Sequence, residues 1–132
     1  MAIYIWVAIG GAIGTAGRYF LSGAVARLIG ETFPWGTLII NVTGCFAIGL
    51  FATLTSPNGR YYVGSTGRQL FMTGIFGGYT TFSSFSLQTL NLANNAEWFS
   101  AAANIGASVV LCLFAVWAGS VLANMITTLE WI

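Results

Sequence analysis

The run "GGYTTFSSFS", Gly77 to Ser86, decides how the rest of the chain is read. The residues around it are apolar enough for a membrane-crossing helix. The run itself sets two glycines before two β-branched threonines, a poor helix composition. A helix interrupted at bilayer depth leaves backbone N–H and C=O groups unpaired, and these are tolerated only where protein buries them or where they line a cavity. The expectation is a third helix broken near Gly77 to Thr81. Carbonyls freed at such a break suit a hard cation of low charge, as in the broken helices of sodium-coupled transporters.

Past the break, Phe82 and Phe85 stand three apart and so project toward nearly one side of a helix, with Ser83 and Ser84 between them. Two core aromatics are the ordinary meaning of that spacing. The other reading uses the positive edge of the aromatic quadrupole, which can touch an anion without holding it tightly. Weak contact is what a conducting site requires, since the ion must leave again.

Composition agrees with a membrane setting. Of 132 residues, 57% are hydrophobic and 5% charged, the charges being four arginines and three glutamates, with no histidine, lysine or aspartate. A soluble domain averages about 25% charged residues. The net charge of +1 offers no footprint for nucleic acid. A spanning helix needs about 20 mostly apolar residues, and the charges divide the chain into segments of that size. The expected helices run over about 3–29, 36–55, 67–92 and 98–129, forming one all-α integral membrane domain over 1–132 with both ends on one side. The turn-rich segments "GETFPWG", "SPNGRYYVGSTG" and "NLANNAE" separate them. The first segment reads as a retained helix, not a cleavable leader, because no basic stretch precedes its apolar core.

Arg60 and Arg68 flank the second loop, and Arg27 and Arg18 lie toward the first. Such a small bias in positive charge does not fix one orientation. A chain inserting both ways could pair antiparallel with its own copy as a two-fold dimer.

The helices carry patterned groups. Gly10 and Gly14 have the small-xxx-small spacing that lets helices approach in lipid, with Gly11 and Gly17 beside them. Thr37, Asn41, Cys45 and Gly49 form one i, i+4 row, and Ser100, Asn104, Ser108 and Cys112 form another. An asparagine in hydrocarbon must find hydrogen-bond partners, so each row serves either as interhelical glue or as one wall of a shared polar track. Such a track can solvate an ion or polar solute but holds no carboxylate to relay protons. Cys45 and Cys112 fall mid-segment, where cysteine acts as a small apolar residue, and neither a disulfide nor a metal site is expected from them. Arg18 lies inside the first helix; it either snorkels to the interface or supplies positive potential at a pore mouth.

Together, "GGAIGTAGRYFLS", "FPWGTLIINVTGCFAIG" and above all "GIFGGYTTFSSFS" resemble the signature segments of the bacterial fluoride channel family, known as Fluc or CrcB. The likeness extends over nearly the whole chain. It implies an antiparallel, dual-topology homodimer in the bacterial cytoplasmic (inner) membrane, with two fluoride pores and a structural sodium ion at the centre of the interface. By that likeness the main-chain carbonyls of Gly77 and Thr80 from both copies hold the sodium. Phe82 and Phe85 turn ring edges to fluoride, Asn41 bonds nearby, and Ser83, Ser84, Thr37 and Ser108 continue the hydroxyl path. The chain departs from the family pattern at Gln88, where many relatives carry glutamate, at Asn104, often tyrosine, and at Cys112, which can be serine.

The implied activity is passive export of cytoplasmic fluoride, with no enzymatic step. Two rivals remain at this stage. A small multidrug exporter is also a four-helix dual-topology dimer, but it needs a carboxylate within the membrane, and Glu31, Glu97 and Glu130 lie at segment ends. A structural assembly subunit would explain the glycines and leave the Phe, Ser and Asn cluster without purpose.

Overall fold

The computed structural model describes residues 1–129. Glu130, at the end of the fourth expected segment, lies outside the described residues. Among the described residues every regular element is helical. Helix α1 spans Ala2–Ile29 and stops at Gly30, whose N–H still bonds the Ala26 carbonyl at 2.9 Å and whose φ of 91°, a value that suits glycine, then turns the chain out of the helix. Helix α2, Trp35–Leu54, starts directly after Pro34, which lacks the N–H that a helix start leaves unused anyway.

The third segment is more broken than its sequence suggests. It begins as α3, Ser65–Gln69, widens into a π-helical stretch over Leu70–Phe76 and returns to α-geometry as α4, Gly77–Tyr79. Thr80 (φ −80°, ψ 157°) and Thr81 (φ −152°, ψ 114°) are then extended. Helix α5, Phe82–Asn94, follows, and α6 runs over Trp98–Thr128. The interruption falls at Thr80 and Thr81, within the expected stretch, whereas nothing in "LFMTGIF" announced the π-helical turns. At about 1.5 Å per residue, α2 reaches roughly 30 Å, the thickness of a bilayer's hydrocarbon core. Among the described residues, α2 and α6 are long and apolar enough to cross a membrane.

Glycine decides which helices touch backbone to backbone. A Cβ on Gly10 would overlap the Leu70 carbonyl oxygen, and one on Gly14 the Ile75 carbonyl oxygen, so α1 lies directly on the π-helical stretch. Thr15 Oγ1 donates to the Gly78 carbonyl at 3.4 Å farther along. Helix α6 meets α2 in the same manner, with Gly49 against the Val116 carbonyl and Gly119 against the Phe46 carbonyl. The outer surface is apolar: Phe20, Val110, Leu113, Phe114 and Trp117 are all exposed. So continuous an apolar exterior suits contact with lipid or another protein, not water.

Arg68 ties the segments together at one end. Its guanidinium donates to both the carbonyl and the hydroxyl of buried Thr55, at the C-terminus of α2. A cation is favoured there because the helix dipole leaves partial negative charge on its last carbonyls.

Candidate ion pathway

The α2–α6 seam sets the register of the site. Thr53 Oγ1 and Ser120 Oγ hydrogen-bond at 2.8 Å, 67 positions apart in sequence. Gly49 and Val116, in contact one turn earlier, have the same separation. The two helices therefore run in the same direction, and the two i, i+4 rows of the sequence fall opposite each other. Asn41 stands level with Ser108, and Cys45 with Cys112. Those four residues, together with Thr80, Thr81, Phe82, Phe85, Val109 and Leu113, line a cavity of about 360 Å³.

At the break, α2 supplies what the backbone lost. Asn41 Nδ2 donates to the Thr81 carbonyl at 3.0 Å, and its Oδ1 accepts the Thr81 N–H at 2.8 Å. One amide thus satisfies both polar groups of an extended residue, as a neighbouring strand would. Beside it, Thr43 Oγ1 and the Tyr79 hydroxyl bond at 2.9 Å. A side chain at Gly44 would overlap the Thr80 methyl group. Thr81 then caps α5, its Oγ1 accepting the Ser84 N–H at 3.2 Å.

These diversions have a consequence for the carbonyls. In a continuous helix the Thr81 N–H would bond the Gly77 carbonyl and the Ser84 N–H the Thr80 carbonyl. Here both donors are spent on side-chain oxygens, Asn41 Oδ1 and Thr81 Oγ1. The Gly77 and Thr80 carbonyls are thereby released from helix bonding, and Gly77 is exposed on the surface of the chain. Oxygen donors without charge of their own are the donor set a structural sodium ion takes.

The phenylalanines share the cavity but not an environment. Their ring centroids lie 5.1 Å apart with planes tilted by 52°. Phe85 is 8% exposed, while Phe82 is 77% exposed and points out of the chain. Ser83 and Ser84 are not among the cavity's lining residues; both hydroxyls gather on Thr81 Oγ1, at 3.2 and 3.1 Å. Thr37 is buried and lines a second, more polar chamber of about 440 Å³ with Gln88, Asn91, Glu31 and Glu97. Gln88 Oε1 is buried with no hydrogen-bond partner among the described residues. Arg18 is half-buried on α1 and borders neither chamber.

Behind Ser108, a buried amide ties α6 to α5. Asn104, 2% exposed, donates from Nδ2 to Thr89 Oγ1 at 2.8 Å, and Ser108 Oγ donates to Asn104 Oδ1 at 3.5 Å. Thr89 was missed in the sequence because a single threonine on an ordinary helix carries no local signal. The Thr81 cap was also missed, although a threonine ahead of a helical run is a recognisable start signal. In the sequence Thr81 reads only as part of the break.

Comparison with known proteins places this arrangement. Residues 5–120 match the family described as CrcB-like protein, Camphor Resistance (CrcB). A protein of Opitutus terrae named fluoride-specific ion channel FluC is 57% identical over 130 residues, covering 98% of each chain. One of the same name from Rhodospirillum rubrum is 57% identical over 123 residues, 93% of this chain and 95% of that one. Another, from Methylocella silvestris, is 51% identical over 127 residues, 96% and 97% of the two chains.

Proposed function

The chain belongs to the CrcB family, and on that premise we propose that it is a fluoride-selective channel that exports cytoplasmic fluoride passively across the membrane and so relieves fluoride toxicity. The observation that carries the reading is the level pairing of Asn41 with Ser108 beside Phe85 in a cavity whose lining residues include no carboxylate. The proton-exchanging alternative needs such a carboxylate.

The driving force asks nothing of the protein. Hydrogen fluoride crosses membranes as a neutral weak acid and dissociates at the higher cytoplasmic pH. The anion is then driven outward by the membrane potential, worth about 2.3 kcal/mol per charge per 100 mV. What the chain must supply is a replacement for fluoride's tight hydration shell. An amide has two N–H donors, and Asn41 spends one on Thr81. Its second is available beside the Ser108 hydroxyl and the ring edges. Helix α5 opens at the cavity wall, so its positive dipole end faces the space an anion would occupy. Chloride, larger and more weakly hydrated, gains less from these donors.

The functional unit is two copies in antiparallel, dual-topology arrangement in the bacterial inner membrane, each crossing the bilayer four times. The exposure of Phe82 and Gly77 supports this, since a second copy would cover both. The released Gly77 and Thr80 carbonyls of each copy would hold a structural sodium ion on the axis. That ion supplies positive charge to carbonyls that have lost their helix donors, and it takes no part in transport.

The deciding measurement is fluoride efflux from proteoliposomes, read with a fluoride electrode, with chloride and a proton gradient as controls. Fluoride efflux without chloride efflux is expected. Drug-driven proton flux with no fluoride efflux would overturn the proposal in favour of an exporter, and no flux of any kind in favour of a structural subunit.

A further inference from the structure

The family reading gives no task to the two cysteines. Cys45 and Cys112 are free thiols on different helices, both half-buried, and both line the cavity between α2, α5 and α6. Their placement is held from two directions. The Thr53–Ser120 hydrogen bond and the Gly49–Val116 backbone contact fix the register that sets Cys45 level with Cys112. The close approach at Gly49 and Gly119 keeps the helices from drawing apart, and the two thiols border one cavity from opposite sides of the seam.

Two sulfurs opposed across a seam make a particular kind of ligand set. Among the described residues no group of three or more His, Cys, Asp and Glu comes together. A tetrahedral zinc site, which takes four ligands, is therefore not what this pair builds. Thiolates select soft metals, and the d¹⁰ ions copper(I), silver(I) and mercury(II) accept two sulfurs in a linear arrangement. We propose that Cys45 and Cys112 together bind one soft, two-coordinate metal ion, and that its binding closes the cavity to passage. In the reaction each S–H gives its proton to water and each sulfur forms one bond to the metal. One Hg²⁺ is exchanged for two protons, with no change of oxidation state. The second half of the proposal, closure, rests on the cavity being the fluoride path; the metal site does not.

The probe is Hg²⁺ added to the purified chain in detergent, with metal counted per chain and free thiols counted by maleimide labelling and intact mass. One Hg²⁺ per chain with both thiols protected together is expected. Removal by 2-mercaptoethanol should need on the order of 100-fold more thiol than in Cys45→Ser or Cys112→Ser, because the second bond forms at high effective concentration. Two Hg²⁺ per chain, or single-cysteine variants that hold the metal as tightly as the native chain, would overturn the shared site. The native stoichiometry decides this even if a variant fails to fold. In proteoliposomes, Hg²⁺ should stop fluoride efflux from the native chain, a dithiol should restore it, and Cys45→Ser/Cys112→Ser should be unaffected. Persistent efflux from metal-loaded native chain would overturn closure alone. If even metal-free chain gives no fluoride efflux, the channel reading fails while the metal count still judges the site.

Discussion

Two seams between parallel helices run through this molecule, and they are built to opposite ends. Where α1 meets the π-helical stretch and α4, Gly10, Gly14 and Gly78 bring backbone onto backbone, and the contact is sealed along its length. Where α2 meets α6, glycines Gly49 and Gly119 pinch one end only. Farther along, Asn41, Cys45, Ser108 and Cys112 replace them, and a cavity opens. Small residues throughout give a wall; small residues at one end and hydrogen-bonding residues at the other give a cavity bordered by polar side chains. The difference follows from side-chain volume and from the need of every polar group in hydrocarbon for a partner.

Substitution at Asn41 should break the open seam most completely. Asn41→Ala leaves the Thr81 N–H and C=O without partners, at about 1–3 kcal/mol for each buried group. Fluoride efflux should fall by about a hundredfold or more, equivalent to roughly 2.7 kcal/mol in barrier, with a lower unfolding midpoint. Asn41→Asp keeps an acceptor for the Thr81 N–H but adds negative charge to the path. It should lose as much flux and less stability, and native efflux in Asn41→Asp would remove this residue from the pathway.

The two rings come next. Phe85→Ile and Phe82→Ile should each lower efflux about tenfold, roughly 1.4 kcal/mol, with Phe85→Ile also lowering stability because that ring is buried. Unchanged efflux in both variants, with assembly verified by size-exclusion chromatography, would leave the rings as packing alone.

The closed seam should answer differently. Gly14→Ala drives a methyl group into the Ile75 carbonyl and should cost about 1–3 kcal/mol, the usual range for overpacking, read as an unfolding midpoint in mixed micelles. Gly23→Ala, on the same helix with open space around it, should be neutral or slightly stabilising through helix propensity. If the two alanines behave alike, backbone contact is not what holds α1 in place.

Smaller still, Thr81→Ala removes the α5 cap at about 1 kcal/mol, and Thr81→Ser should restore it. Thr89→Val deprives Asn104 of one partner while Ser108 remains. A few-fold change in efflux is expected, and none would show that this α5–α6 hydrogen bond plays no part in conduction.

A membrane protein's architecture is unusually legible in sequence because the bilayer forbids most alternatives. Long apolar segments had to be helices. Glycines before β-branched threonines marked the interruption, and the i, i+4 rows on α2 and α6 marked a polar stripe on each. Those signals are local, depending on residues within a few turns of one another. Whether the stripes faced each other was not local. It depended on a register fixed by Gly49, Val116, Thr53 and Ser120, residues that say nothing about polarity at Asn41.

The same division holds at the break. The sequence determined that the helix would fail near Gly77–Thr81, because local propensity decides where a helix is weak. Only the tertiary structure decided that it failed at Thr80 and Thr81, since Asn41, contributed by another helix, is what makes an extended Thr81 affordable in a medium without water. It also decided that Ser83 and Ser84 turn to the Thr81 cap and that the two phenylalanines differ so widely in exposure. Hydrogen-bond partners are chosen by proximity in space, and proximity across helices is set by how closely their backbones can approach.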